Sequence, residues 1–115
     1  MAKFTHLHNH SEYSLLDGLQ KFPAMLQRTK ELGMESIAVT DHGNMYGTIK
    51  FYKEALDQGV KPIIGCEIYV AKRSLTDKEA GIDNEYNHLI LLAENNIGYK
   101  NLMKAVSKSY MEGFY

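Results

Sequence analysis

Three of the five histidines fall within five residues, His6-Leu7-His8-Asn9-His10. In an extended strand, residues two apart share a face, so these imidazoles point the same way while the backbone stays extended. A His-x-His pair can offer two nitrogens to one cation. His8 and His10 stand at the downstream end of a strand expected over Lys3–His8, where α/β folds place their sites. An isolated pair also reads as surface or hydrogen-bonded histidine. Recurrence of metal-competent residues favours the metal. Asp17 lies in Leu15-Leu16-Asp17-Gly18, His42 follows Asp41 at the end of a second apolar run, and Glu67 interrupts a third. A carboxylate among apolar neighbours is costly unless something pairs with it. Imidazoles and carboxylates converging on one rim suit Zn²⁺ or Mn²⁺, with carboxylates bridging in a multinuclear site. The other readings are a Lys or Arg partner for Glu67 and an ordinary Asp-Gly turn for Asp17.

The remaining polar candidates carry less. His6, one pleat deeper, reads as hydrogen-bonding support for the ligands or as a core group. His88 opens the fourth apolar run and falls at the far end from the site if that strand is regular and parallel. It is a ligand only if its polar neighbours shift the strand start. Cys66 should face away from Glu67, as a small core residue. Lys100, Lys104 and Lys108 recur every four residues, the pattern of a solvated helix face, with a phosphate-contacting stripe as the alternative. No Walker loop, Rossmann glycine fingerprint, Cys-x-x-Cys pair or serine nucleophile elbow is present. No catalytic residue separate from the metal ligands emerges.

Strands alternating with helices must position these groups. Phe22, Met25, Leu26 and Leu32 recur at helical spacing between Pro23 near the first turn and Gly33 past the end. Ser36–Thr40 is a β-branched strand leading into the turn Asp41-His42-Gly43. Asn44 is expected to cap the next helix, with Met45, Ile49, Tyr52 and Leu56 as its buried stripe and Gly59 as its stop. Pro62–Val70 and His88–Ala93 read as further strands. The segment from Lys72 to Asn87 is a polar excursion without a helical stripe. A last helix over about residues 98–111 is expected to bury Leu102, Met103 and Val106. Strand starts at Phe4, Ile37, Ile63 and Leu89 are 33, 26 and 26 residues apart, which suits βα units and parallel strands. Four strands fall short of a closed barrel, which needs about eight strands and roughly 200 residues. The alternatives are a small open sheet or the front half of a barrel. The ending on Phe114-Tyr115 without a stop signal reads as a truncation.

The chain has 115 residues, 44% of them hydrophobic, and a formal charge of −1. That is one soluble domain, residues 1–115, and too little positive charge for a free-standing electrostatic nucleic-acid binder. The N-terminus lacks the apolar stretch of a secretory signal, and Leu89–Ala93 is too short to span a bilayer. One cysteine cannot form an internal disulfide, in keeping with a reducing cytoplasm and no membrane partner.

The motifs together carry a resemblance. His6-Leu7-His8-Asn9-His10-Ser11, Ser14-Leu15-Leu16-Asp17-Gly18 and Thr40-Asp41-His42-Gly43-Asn44-Met45-Tyr46-Gly47 resemble the PHP (polymerase and histidinol phosphatase) domain. Lys61-Pro62-Ile63-Ile64-Gly65-Cys66-Glu67 and Gly98-Tyr99-Lys100-Asn101-Leu102 are similar to the form found at the N-terminus of bacterial DNA polymerase III α subunits. The resemblance implies the first half of a distorted (β/α)7, TIM-like barrel with parallel strands and a trinuclear metal cluster at its rim. By motif match His8, His10, Asp17, His42 and Glu67 would be ligands, with His88 a weaker match. It further implies a metal-dependent phosphoesterase or 3′→5′ exonuclease within a DNA-directed DNA polymerase whose own domain uses Mg²⁺. DNA, a sliding clamp and a proofreading subunit would be partners. The alternatives are a non-catalytic module that stabilises the polymerase and docks partners, or a free-standing phosphoesterase. The family's later ligands lie beyond residue 115, so little catalysis, and an unpaired strand edge favouring self-association, are expected of this segment alone.

Overall fold

The computed structural model describes residues 3–113; the readings placed on Met1, Ala2, Phe114 and Tyr115 lie outside them. The elements are α1 (Phe22–Glu31), β1 (Ser36–Val39), α2 (Thr48–Asp57), β2 (Lys61–Ala71), β3 (Tyr86–Leu92), α3 (Asn96–Lys108) and a π-helical turn (Ser109–Gly113). The three strands form one sheet in the order β1-β2-β3.

α1 forms where its period and its ends predict. Pro23 sits in the first turn, where a missing N–H costs nothing, and Gly33 takes a left-handed φ of +71° after the helix. Phe22, Met25, Leu26 and Thr29 are buried, with the Thr29 hydroxyl returned to the Met25 carbonyl at 2.8 Å. Leu32 does not close the stripe. It is the capping residue, already turning out of the helix, and is exposed.

β1 and β2 pair in parallel from Ser36↔Lys61 to Val39↔Ile64, the expected βαβ unit. The ladder continues past β1 at His42↔Glu67, where the Glu67 N–H donates to Asp41 O (3.0 Å) and the Gly43 N–H to Glu67 O (2.8 Å). That extension brings His42 level with Glu67.

Several expectations are corrected. Residues 3–8 form no regular strand. They lie extended along β1, with the Ala38 N–H on His6 O (2.9 Å) and the Thr40 N–H on Asn9 O (2.8 Å). Three residues of this segment oppose two of β1, and the Asn9 side-chain amide takes over part of the ladder by donating to Ala38 O (3.0 Å). The strands are also not all parallel: β3 runs antiparallel to β2, from Gly65↔Leu92 to Ala71↔Tyr86. A parallel return needs a crossover, usually helical. The connection over residues 72–85 has no helix and instead folds on itself, with Arg73 paired to Asp83 and Glu79, and Lys72 to Glu85.

Asn44 does not cap α2 either. Its amide donates to Tyr13 O (2.9 Å) and His42 O (3.1 Å), stiffening the turn before the helix. α2 buries Thr48, Phe51 and Ala55, leaving Ile49, Tyr52 and Leu56 exposed. Its facing is set by Gly47, where an added Cβ would lie 2.6 Å from the Tyr13 ring and 2.8 Å from the Phe22 ring. That close approach turns Phe51 onto Phe22, ring centroids 5.4 Å apart.

The core is Phe22, Met25, Leu26, Ile37, Val39, Phe51, Ala55 and Val60, packed between the two first helices and the sheet. Each large apolar side chain there stabilises the fold by about 1.5–3 kcal/mol. α3 contributes little. Its N-terminus is capped by Asn95, whose side chain accepts the Gly98 N–H at 3.0 Å, and of its expected stripe only Leu102 is buried. Met103 is exposed and Val106 half-buried. Cys66 is buried as expected, its thiol directed at the Asp41 and Asn44 carbonyls, and burial pushes it up to about 11.

Candidate metal centre

Glu67 is buried near the end of the β1–β2 ladder, and four imidazoles converge on its carboxylate. His8 Nε2 lies 3.1 Å and His88 Nδ1 3.3 Å from Oε1, while His10 Nε2 lies 2.6 Å and His42 Nδ1 2.9 Å from Oε2. Among the described residues no Lys or Arg pairs with Glu67; its charge is met by histidine alone. Burial pushes the Glu67 carboxyl up, but hydrogen bonds from His10, His88 and His8 and the charge of His42 outweigh it. The net result lies below the ordinary value.

Asp17 reaches the same place from a loop. Residues 11–18 wind tightly: the Ser14 N–H donates to Ser11 O (3.0 Å), and both the Asp17 and Gly18 N–H groups donate to Ser14 O (3.0 and 2.8 Å). Gly18 is required there, because an added Cβ would lie 2.0 Å from the Ser11 carbonyl oxygen. The winding sets Asp17 Oδ2 2.5 Å from His42 Nε2 and 3.7 Å from His10 Nδ1.

That loop is held down by Asp41, a residue whose role the sequence did not reveal. Its buried carboxylate accepts the Ser11 N–H (2.6 Å), the Ser11 hydroxyl (2.7 Å) and the Ser14 hydroxyl (3.0 Å), and Ser14 Oγ in turn accepts the His42 N–H (3.0 Å). The faint signal was a Ser-x-x-Ser spacing before Asp17 and an acid beside His42. Tyr69 was missed as well; its hydroxyl is 3.3 Å from His42 Nδ1.

All six candidate ligands are therefore brought together. They form three overlapping groups, His8/His10/Glu67, His10/Asp17/His42 and His42/Glu67/His88, with donor atoms in each group within 4.8 Å of one another. The reversed direction of β3 brings His88 in, placing it opposite Tyr69 rather than at the far end of the sheet. His6 is left out. Its ring is exposed and rests edge-on against Phe4 at 4.8 Å, so it is neither a core group nor a support for the ligands. The lysines of α3 are exposed, as a solvated face requires. Four imidazoles and two carboxylates, with no cationic side chain among them, are a donor set compatible with a metal site.

Known proteins resemble this chain in sequence and in fold. Residues 6–115 match the model of the PHP domain. The chain is 54% identical over 115 residues to a DNA polymerase III subunit alpha from Borreliella burgdorferi, covering 99% of this chain and 10% of that protein. It is 50% identical to the Thermus aquaticus protein of the same name, covering 98% and 10% respectively. The chain thus spans about a tenth of the length of these curated relatives. Among solved structures, a Bifidobacterium adolescentis protein assigned as a metal-dependent phosphoesterase superposes with a TM-score of 0.61 at 16% identity, over 90% of this chain and 33% of that one. An amidohydrolase from Chromobacterium violaceum gives 0.58 at 21% identity, over 87% and 32%. A match running from the first histidine motif to the end of the sequence carries the assignment: the chain belongs to the PHP domain family.

Proposed function

We propose that these residues are the N-terminal part of the PHP domain of a bacterial DNA polymerase III α subunit, and that their histidine–carboxylate cluster serves hydrolysis of phosphodiesters at a DNA 3′ end. The observation that carries this reading is the buried Glu67 ringed by four imidazoles. In that reading residues 1–115 are the first half of a distorted (β/α)7 barrel, and the parent chain is a cytoplasmic DNA-directed DNA polymerase. Its polymerising domain would use Mg²⁺, and it would work with DNA, a sliding clamp and a proofreading subunit.

His8, His10, His42 and His88, with Asp17 and Glu67, would hold Zn²⁺ or Mn²⁺ in a multinuclear site. Such ions supply Lewis-acid activation of water and neutralise charge on a departing oxygen. The chain's own residues do the positioning. Glu67 orients four rings at once, Asp41 clamps the loop that presents Asp17, and the Tyr69 hydroxyl steadies His42. Each of the six donors faces the cluster, so no separate side-chain acid or base is assigned.

The test uses the full-length chain, with bound metal measured by elemental analysis and hydrolysis followed on a 3′-labelled single strand. Glu67→Gln is expected to lose metal and to cut hydrolysis by at least about a hundredfold, the upper end of what losing a ligand's outer-shell partner costs. Nucleotide polymerisation should persist. A metal-free full-length chain, or a Glu67→Gln chain that hydrolyses as well as its parent, would overturn the reading in favour of a structural and docking module.

A further inference from the structure

A cavity of about 610 Å³ opens beside the cluster, with His42 common to both. Its size falls within the range of about 300–1,000 Å³ found for small-molecule sites. Four tyrosines line it, Tyr46, Tyr69, Tyr86 and Tyr110, and each is between 44% and 63% exposed. Four half-bare aromatic rings facing one cavity leave unused much of the area they could bury. The rings are also ordered on the metal-site histidines. Tyr69 lies parallel to His42 at 6.2 Å and Tyr86 parallel to His88 at 5.7 Å, with the two tyrosines edge-on at 4.9 Å.

Part of the lining is acidic. Asp77, Asp83 and Glu85 line the cavity, and among the described residues no Lys or Arg does. Asp83 and Glu85 are paired to Arg73 and Lys72 on the loop behind them. Asp83 is nearly buried in its pair with Arg73, so Asp77 and Glu85 are the carboxylates a ligand would meet. A phosphate would find them without a lining cation, whereas a neutral planar group with N–H donors would find them as acceptors beside the stacking faces. Only at the His42 end does the lining pass from carboxylates to an imidazole, beside the histidine cluster.

We propose that this cavity is the subsite for the terminal nucleoside of a nucleic-acid strand. Its base stacks on Tyr86 and meets Tyr69 edge-on, the phosphate to be cleaved points toward the histidine cluster, and no second phosphate follows. The inference rests on the hydrolytic reading above and deepens it: an interior nucleotide would drive its other phosphate against the acidic part of the lining, so the site acts on chain ends.

The full-length chain is tested with dAMP and with 2-deoxyribose 5-phosphate, which keeps the phosphate but lacks the base, by calorimetry. Base–aromatic stacking predicts that dAMP binds tighter by about five- to hundredfold. Tyr86→Leu should erase that preference, Tyr86→Phe should keep it, and bound metal should stay at the parent's level in both. With single strands ending in a normal or an abasic 3′ residue, the abasic end and the Tyr86→Leu variant should each raise KM rather than lower kcat. Equal binding of the two small probes by the parent, or a preference that survives Tyr86→Leu, overturns the subsite. A preference that Tyr86→Leu erases in a chain that hydrolyses no DNA supports the subsite and overturns the hydrolytic reading alone.

Discussion

Asp41 and Glu67 are both buried carboxylates, joined through one ladder hydrogen bond, yet their partners differ in kind. Glu67 faces only imidazoles, while Asp41 faces only serine donors and so ties a loop rather than an ion. Asp41→Asn would replace an acceptor oxygen with a donor inside that clamp. Hydrogen bonds to a charged group are worth about 1.5–3 kcal/mol, and a loss of that order is expected in urea unfolding. Freeing Asp17 should also weaken metal binding by about tenfold to a hundredfold in chelator competition. An Asp41→Asn chain that holds metal as tightly as its parent would contradict the clamp. Glu67 was legible in the sequence because a charge in an apolar run needs a partner. Asp41 was not, because its partners Ser11 and Ser14 lie about thirty residues upstream and nothing local pairs them.

At the level of elements, the reversal of β3 has the largest functional consequence, since it carries His88 to Glu67. Pairing β2 on both sides brings backbones close at Gly65, where an added Cβ would lie 2.6 Å from Leu91 O and 2.8 Å from the Leu92 and Thr40 side chains. Gly65→Ala is therefore expected to cost about 1–3 kcal/mol, as overpacking does. A urea midpoint equal to the parent's would refute this close approach. The loop over 72–85 is latched by charge. The hydrogen bond from Arg73 is the main cause that holds Asp83 down to about 2, against an ordinary value of 3.8. The folded loop thus binds that proton more weakly than the unfolded chain does. Its contribution is complete above pH 3.8 and disappears as the pH falls toward 2. Protection of the loop amides, taken relative to their intrinsic exchange rate at each pH, should fall over that window and not between neutral pH and pH 5. Protection already lost at pH 5 would show that the latch is something else.

Across the whole molecule the core is one-sided. The buried apolar cluster lies among α1, α2, β1 and β2, whereas α3 buries a single residue and β3 none. The Cα radius of gyration is 15.5 Å, against about 13 Å for a compact domain of about 100 residues. The extended side bears the cavity, between the turn after β1, the acidic loop and the π-helical turn. The sequence by itself determined the identities and spacing of the donor residues, the first βαβ unit and the burial of Cys66. Each of these follows from short-range rules: period, turn chemistry, and the cost of a charge among apolar neighbours. Tertiary structure decided the direction of β3, the facing of α2, the exclusion of His6 and the clamp at Asp41. Those outcomes depend on which distant groups meet, whether Gly47 against Tyr13 and Phe22 or Asp41 against two serines. A spacing of 26 residues fits a parallel return and an antiparallel one equally well. Only the absence of a crossover helix, made good by a self-paired loop, turned the strand back and brought the sixth donor to the cluster.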